Sequence, residues 1–120
     1  HTTMYSSLSN PHGSSGDWDS MNSSGGSVIP RDGEILNLFL RPDQNLDPGA
    51  ETAAGCPTTL TVRINGVDTA LSVTHANADG IDPVGNTSTV VAVQQGDIVN
   101  LKGSKCAGGA YIYAWSLEIR

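Results

Sequence analysis

The chain has 120 residues, the size of one domain with a small appendage. Only 15% of the residues are charged and the formal net charge is −6, which argues against a surface that binds nucleic-acid phosphates. No apolar run approaches the roughly 18 residues of a membrane span. The abundance of Ser, Thr, Asn and Gly favours an extracellular or surface protein.

Residues 1–27 are rich in Ser and Gly and show no sustained periodicity, so they predict an extended N-terminal arm. Four apolar anchors are spaced along this arm, and we predict that they contact another subunit: Tyr5, Leu8, Trp18 and Met21. Gly25 and Gly26 would allow the arm to reach outward. We expect the arm of one copy to add a strand to the sheet of the next.

Residues 28–120 predict β-structure throughout. Residues 34–41 alternate with a period of two, which separates two sets of side chains. One set is Leu36, Leu38 and Leu40, and the other is Ile35, Asn37, Phe39 and Arg41. Further strands are predicted over 88–93, 98–102 and 110–119, with loops over 42–56, 75–87 and 103–109.

Asn65 and Gly66 give the strongest turn signal in the chain, because they separate alternating runs over 60–64 and 67–73. A two-residue type I′ turn needs positive φ at both positions, which Asn tolerates and Gly adopts freely. The pair therefore predicts a β-hairpin with one buried and one solvent face. The buried face carries Leu60, Val62 and Ile64, and the solvent face Thr59, Thr61 and Arg63.

Six to eight short strands with turn signals between them are typical of an all-β protein. We predict a two-sheet, antiparallel, jelly-roll-like sandwich over residues 28–120, preceded by the arm. Four segments resemble bacterial and phage jelly-roll domains: 30–35, 62–71, 93–99 and 114–118. These domains are similar to the C-terminal heads of bacterial collagen-like surface proteins and to the tumour-necrosis-factor and complement-type head. The resemblance implies a domain that oligomerises and displays or binds.

Cys56 and Cys106 have no neighbours at metal-site spacing. Two cysteines in an acidic, Ser/Thr-rich chain favour one disulfide in an oxidising compartment. The bond would join the two within a chain or between subunits, and two separate buried thiols are the alternative. The chain begins at His1 rather than Met, which is typical of a processed, exported protein or of a fragment.

No arrangement of side chains indicates catalysis, and we predict no enzyme, no cofactor and no metal. His1 could chelate copper through its amine and ring, but no spacing marks His12 or His75 as the second ligand. Residues 75–82 resemble a calcium loop only faintly, because His75 occupies the first ligand position and Asn86 replaces the expected bidentate Glu. There is no Gly-x-Ser-x-Gly elbow.

Tyr111, Tyr113 and Trp115 fall on one face of the last predicted strand. They form part of the core or a subunit contact, or else a platform on which a sugar stacks. Asn22 and Asn86 begin Asn-x-Ser/Thr sequons and are candidate glycosylation sites.

Together these features predict a non-enzymatic structural subunit of an extracellular filament or related surface assembly, whose partner is a second copy of itself. A carbohydrate-binding, lectin-like module with glycan partners is the first alternative. A phage capsid-decoration or fibre-head protein is the second.

Overall fold

The computed structural model describes residues 2–7, 26–42, 57–76, 79–80, 82–105 and 112–120. They form two antiparallel β-sheets that pack face to face, which confirms the predicted all-β sandwich. None of these residues belongs to a helix long and apolar enough to cross a membrane. The strands, in chain order, are β1 (Thr2–Ser7), β2 (Ser27–Val28), β3 (Gly33–Pro42), β4 (Thr58–Ile64), β5 (Val67–His75), β6 (Val84–Asn86), β7 (Val91–Val93), β8 (Ile98–Lys105) and β9 (Ile112–Ile119).

The first sheet is organised around β8, which pairs with β4 along one side and with β1 and β2 along the other. β5 follows β4 at the far edge of this sheet. The second sheet is organised around β3, which pairs with β9 along one side and with β6 and β7 along the other. Each sheet therefore has a central strand on which two shorter strands lie end to end.

Both sheets contribute apolar side chains to one core between them. Its buried members are Ile29, Ile35, Leu38, Leu40, Leu60, Val62, Leu71, Val73, Val93, Val99 and Leu101. Five partly buried side chains pack against this cluster: Ile64, Val84, Val91, Trp115 and Leu117. Each sheet has one apolar face and one polar face. The two apolar faces pack against each other because this removes them from water.

A β-bulge interrupts the alternation of β3 and corrects the predicted faces of this strand. The pairing with β9 gains one extra residue near the middle of β3, where Asn37 has a φ of 53°. Asn enters this left-handed region more readily than most residues do. The extra residue turns the following part of the strand over, so Ile35 shares the core with Leu38 and Leu40.

The Asn65–Gly66 hairpin is confirmed. Asn65 has a φ of 52° and Gly66 a φ of 81°, and the two residues connect β4 to β5. Leu60 and Val62 of the predicted buried face are fully buried.

Several strand boundaries differ from the sequence-based prediction. β6 lies within the predicted loop over 75–87, and β7 begins at Val91 rather than at residue 88. β1 lies within the predicted arm, yet it belongs to the first sheet. β6 escaped prediction because it is too short to show a period of two, and β1 escaped it because its sequence is mostly polar.

Candidate functional site

The outer edge of β8 carries β1 and β2 end to end. β1 pairs with residues 100–105 of β8, and β2 pairs with the two residues before them. Ser7 lies opposite Asn100 and Ser27 lies opposite Val99. The two strands therefore meet at consecutive positions of β8, and together they cover its whole length.

Gly26 brings the chain close to β8 at the start of β2. A Cβ at this position would lie 2.7 Å from Ile98 Cγ2 and 2.8 Å from the Val99 carbonyl oxygen. Such contacts leave no room for a side chain. The sequence analysis expects Gly26 to let the arm reach outward. In the structure, Gly26 instead allows the chain to pack closely against its own sheet.

Ile29 fixes the chain immediately after β2. Its N–H donates to the Asp97 carbonyl oxygen at 2.8 Å, and its own carbonyl accepts from the Gly96 N–H at 2.8 Å. Its side chain is 3% exposed within the core. β2 is consequently held by backbone bonds and by core packing next to it.

Of the residues predicted to contact a neighbouring subunit, Tyr5 lies in β1, at the register position opposite Lys102. Leu8, Trp18 and Met21 lie outside the described residues, as does Asn22. The subunit contacts of these side chains stay predictions.

A charged triad spans three strands on the outer face of the first sheet. Arg63 Nε donates to Asp68 Oδ1 at 2.8 Å, and Lys102 Nζ contacts Asp68 Oδ2. The hydrogen bond from Lys102 is the main cause that lowers the pKa of Asp68 below its ordinary 3.8; partial desolvation opposes it, and both cations reinforce it. Two hydroxyl pairs extend this polar face: Thr59 with Thr74, and Thr61 with Ser72.

Asn65 joins the hairpin turn to the turn that precedes β8. Its Nδ2 donates to Asp97 Oδ1 at 2.9 Å, and its Oδ1 accepts from the Ile98 N–H at 2.9 Å. Asp97 Oδ2 accepts from the Gln94 N–H at 2.8 Å. This backbone bond, and then the Asn65 amide, lower the pKa of Asp97 below its ordinary 3.8. The network fixes the first residues of β8, with which β2 pairs.

A shallow cleft of about 190 Å³ surrounds Phe39 on the second sheet. Its lining consists of Phe39, Leu40, Arg41, Pro83, Trp115 and Ser116. Phe39 is 40% exposed and lies opposite Ser116 of β9 and Gly85 of β6. The cleft combines an accessible aromatic ring with a hydroxyl and a guanidinium, which are groups that can stack on a sugar ring and hydrogen-bond to it.

Trp115 belongs to the margin of the core. It lies opposite the buried Leu40, and its Nε1 is buried with no hydrogen-bond partner among the described residues. Tyr113 occupies a position in β9, but its side chain is outside the described part, and Tyr111 is outside it altogether. The predicted aromatic platform therefore stays a prediction. Among the described residues, Phe39 is an exposed aromatic side chain.

Asn86 links the two sheets. Its Nδ2 donates to the Ser72 carbonyl oxygen at 2.9 Å and to Thr89 Oγ1 at 3.1 Å, and its Oδ1 accepts from the Thr89 N–H at 3.1 Å. A glycan would be attached through the same Nδ2. Glycosylation at Asn86 stays a prediction, and in the folded protein it would have to disrupt the bonds that this nitrogen makes.

His75 is fully buried at the end of β5, where Nε2 lies 3.0 Å from the Asp82 carbonyl oxygen. Asp79 Oδ2 accepts from the Ala76 N–H at 2.7 Å, so this carboxylate caps a turn. Within the described ranges, no three His, Cys, Asp or Glu side chains form a group that could hold a metal ion. His1, His12, Cys56 and Cys106 lie outside those ranges, and the disulfide stays a prediction.

Comparison with known proteins adds no family to this description. No protein-family model matches the chain, and a search of curated proteins finds no match. The geometry of the described residues therefore carries the functional argument.

Sequence reasoning missed the two features on which that argument depends. The alternation of β3 placed Phe39 on a face with Ile35, which the bulge separates from it. The signal that the sequence offers is Asn37 itself, because Asn tolerates the left-handed conformation that this bulge requires. The pairing of β1 with β8 left no signal in periodicity, because Thr2–Ser7 contains few apolar residues.

Proposed function

We propose that the protein is a non-enzymatic structural subunit of an extracellular or surface assembly, and that its copies join through the N-terminal strand. The pairing of β1 along β8 carries this proposal. Strand pairing uses backbone groups, so a six-residue segment of mixed sequence is sufficient to form it. The same six pairs can form between β1 of one copy and β8 of another.

The side of β8 on which β1 lies supports the proposal, because β8 is a long strand in the middle of its sheet. Without β1, the backbone groups of residues 100–105 on that side would have no strand partner among the described residues. An exposed strand edge of this kind recruits other strands. The flanking β2 and Gly26 set the register, since they hold the chain against the start of β8.

Deletion of residues 1–24 tests the proposal, because it removes β1 and keeps Gly26 and β2. We expect the full chain to form oligomers or filaments in light scattering and negative-stain microscopy. We expect the truncated protein to keep its β-type circular dichroism and to be monomeric. A full chain that stays monomeric at high concentration would contradict the proposal, and so would a truncated chain that assembles as the full chain does.

Proline substitution in β1 provides a second test, at full length. Neighbouring residues of an antiparallel strand alternate in the direction of their N–H groups, so M4P combined with Y5P removes at least one bond to β8. A pair of prolines at Gln94 and Gln95, in an exposed turn, would not be a suitable control, because both N–H groups donate hydrogen bonds there. The exposed V28A substitution, which keeps the backbone N–H, serves as the control.

The cleft around Phe39 favours a second candidate function, the binding of a neutral sugar ring. An aromatic face packs against the C–H face of a sugar, and the Ser116 hydroxyl lies beside it in register. Glycan-array binding that is lost in F39A and kept in V28A would support this function. Binding that survives in F39A would exclude the cleft as its site.

A further inference from the structure

The pairing of β1 and β2 shows that they are two parts of one edge strand. Thr2–Ser7 lies opposite residues 105 to 100 of β8, and Ser27–Val28 lies opposite residues 99 and 98. No residue of β8 is skipped where the first part ends and the second begins. Residues 8–26 are therefore an insertion within a strand that would otherwise be continuous.

The second of the two parts is fixed to its own domain by contacts at both of its ends. β2 adjoins Gly26, which only fits without a side chain, and Ile29, which is buried and bonded to the turn before β8. The strand pairing of β1 is with β8 alone. Exchange of β1 would therefore leave β2 attached to its own β8.

From this we infer that residues 8–26 are the crossover of a strand exchange, in which β1 pairs with β8 of a second copy while β2 stays on its own β8. This inference rests on the proposed function and specifies its partner and its moving part. In the closed arrangement, the insertion joins two positions that are one strand residue apart, about 3.3 Å. The same segment has a contour length of about 60 Å, which suffices to carry β1 to a neighbouring copy.

Exchange of this kind keeps every backbone pair of the closed form, and changes only which chain supplies it. The acceptor is the edge of β8 over residues 100–105, and the register is that of the single chain. The partner is thus a second copy of this protein, because β8 already pairs with this strand sequence.

The test is a variant that lacks residues 8–26 and joins Ser7 directly to Ser27. We expect this variant to fold with an uninterrupted edge strand and to be monomeric at concentrations where the full chain assembles. A second variant replaces residues 8–25 by Gly and Ser at the same length and keeps Gly26, and we expect it to assemble. If the full chain assembles and the deletion variant does so too, the crossover is overturned while the proposed function stands.

A Gly/Ser variant that is monomeric while the full chain assembles would also overturn the inference, since the insertion would then contribute its own contacts.

Cross-linking decides the matter even if the deletion variant fails to fold. T3C and S104C place cysteines at paired positions of β1 and β8. Isotopically heavy and light chains of the T3C/S104C protein are unfolded, mixed, refolded and treated with a short thiol cross-linker. Peptides that join heavy to light at these positions support exchange, and peptides that join only light to light and heavy to heavy overturn it.

Discussion

Ser7 and Ser27 lie opposite neighbouring residues of β8, Asn100 and Val99, although residues 8–26 separate them in the chain. A strand that resumes its register after such an interruption behaves as one structural unit with a removable part. The part before the interruption pairs with β8 at six positions, and the part after it is fixed by Gly26 and Ile29 as well as by its pairing with β8. In the strand exchange that we propose, β1 is the segment that changes partner and β2 stays on its own β8.

The opposite edge of the first sheet is treated differently. Asn86 of β6 donates to the carbonyl oxygen of Ser72 in β5, so a side chain of the second sheet occupies that edge. Asn86 is itself held by Thr89 and Ser88. One carbonyl of the β5 edge is therefore occupied by the domain's own polar contact, whereas the proposed assembly uses the β8 edge.

The bulge in β3 depends on the left-handed conformation of Asn37. We expect N37A to lower the free energy of unfolding by about 1–2 kcal/mol, because alanine is strained at a φ of 53°. N37G should stay within about 1 kcal/mol of the natural protein, since glycine adopts this conformation freely. Urea denaturation followed by circular dichroism measures both.

The side chain of Asn37 requires its own control, because its Nδ2 donates to Glu118 Oε2 at 2.7 Å. E118A removes this hydrogen bond and leaves the backbone of Asn37 unchanged. If E118A costs as much as N37A, the effect belongs to the hydrogen bond, and backbone strain is not its cause.

Much of the fold follows from local sequence, and the bulge shows where this stops. Asn65 and Gly66 specify their turn because both tolerate positive φ, and the neighbouring residues alternate cleanly. Asn37 has the same conformation, but no glycine follows it and the strand continues on both sides. Its effect depends on pairing with β9, which is distant in the chain, so alternation alone grouped Ile35 with Phe39 instead of with Leu38.

The candidate site was predicted less well than the fold, for the same physical reason. The exposure of Phe39 depends on the bulge and on Gly85, which lies beside it in β6. The edge occupied by β1 depends on backbone pairing, which does not require a particular side-chain pattern. Neither property is local, whereas the hairpin is.

The position of the Phe39 ring depends on the absence of a side chain at Gly85. A Cβ there would lie 2.3 Å from the ring, so we expect G85A to displace the ring and to destabilise the protein by about 1–3 kcal/mol. In an F39A background, the same change should cost much less, because the clash is gone. A double-mutant cycle in urea measures this coupling. Equal costs in both backgrounds would mean that Gly85 is required for another reason.

Acid should destabilise the folded protein through Asp68 and Asp97. The pKa of each is lower in the folded state than its ordinary 3.8, so each contributes stability that is fully present above that value and is lost as the pH falls through the folded pKa. We expect the urea midpoint to decrease as the pH is lowered from about 5 to about 2. D68N should flatten this dependence and lower the midpoint at neutral pH, since it removes the charge that Lys102 and Arg63 face. An unchanged pH profile in D68N would show that the triad contributes nothing.

Trp115 distinguishes a core aromatic residue from a sugar platform. Its indole packs against the core, and its buried Nε1 has no partner among the described residues. W115F keeps an aromatic ring and removes that donor, so it should cost no more than about 1 kcal/mol. W115A removes the packing and should cost about 3 kcal/mol. Both are measured by urea denaturation followed by far-ultraviolet circular dichroism, because the substitutions alter fluorescence. If W115A has the same urea midpoint as the natural protein and yet loses glycan binding, Trp115 would be part of a binding platform and its assignment to the core would be wrong.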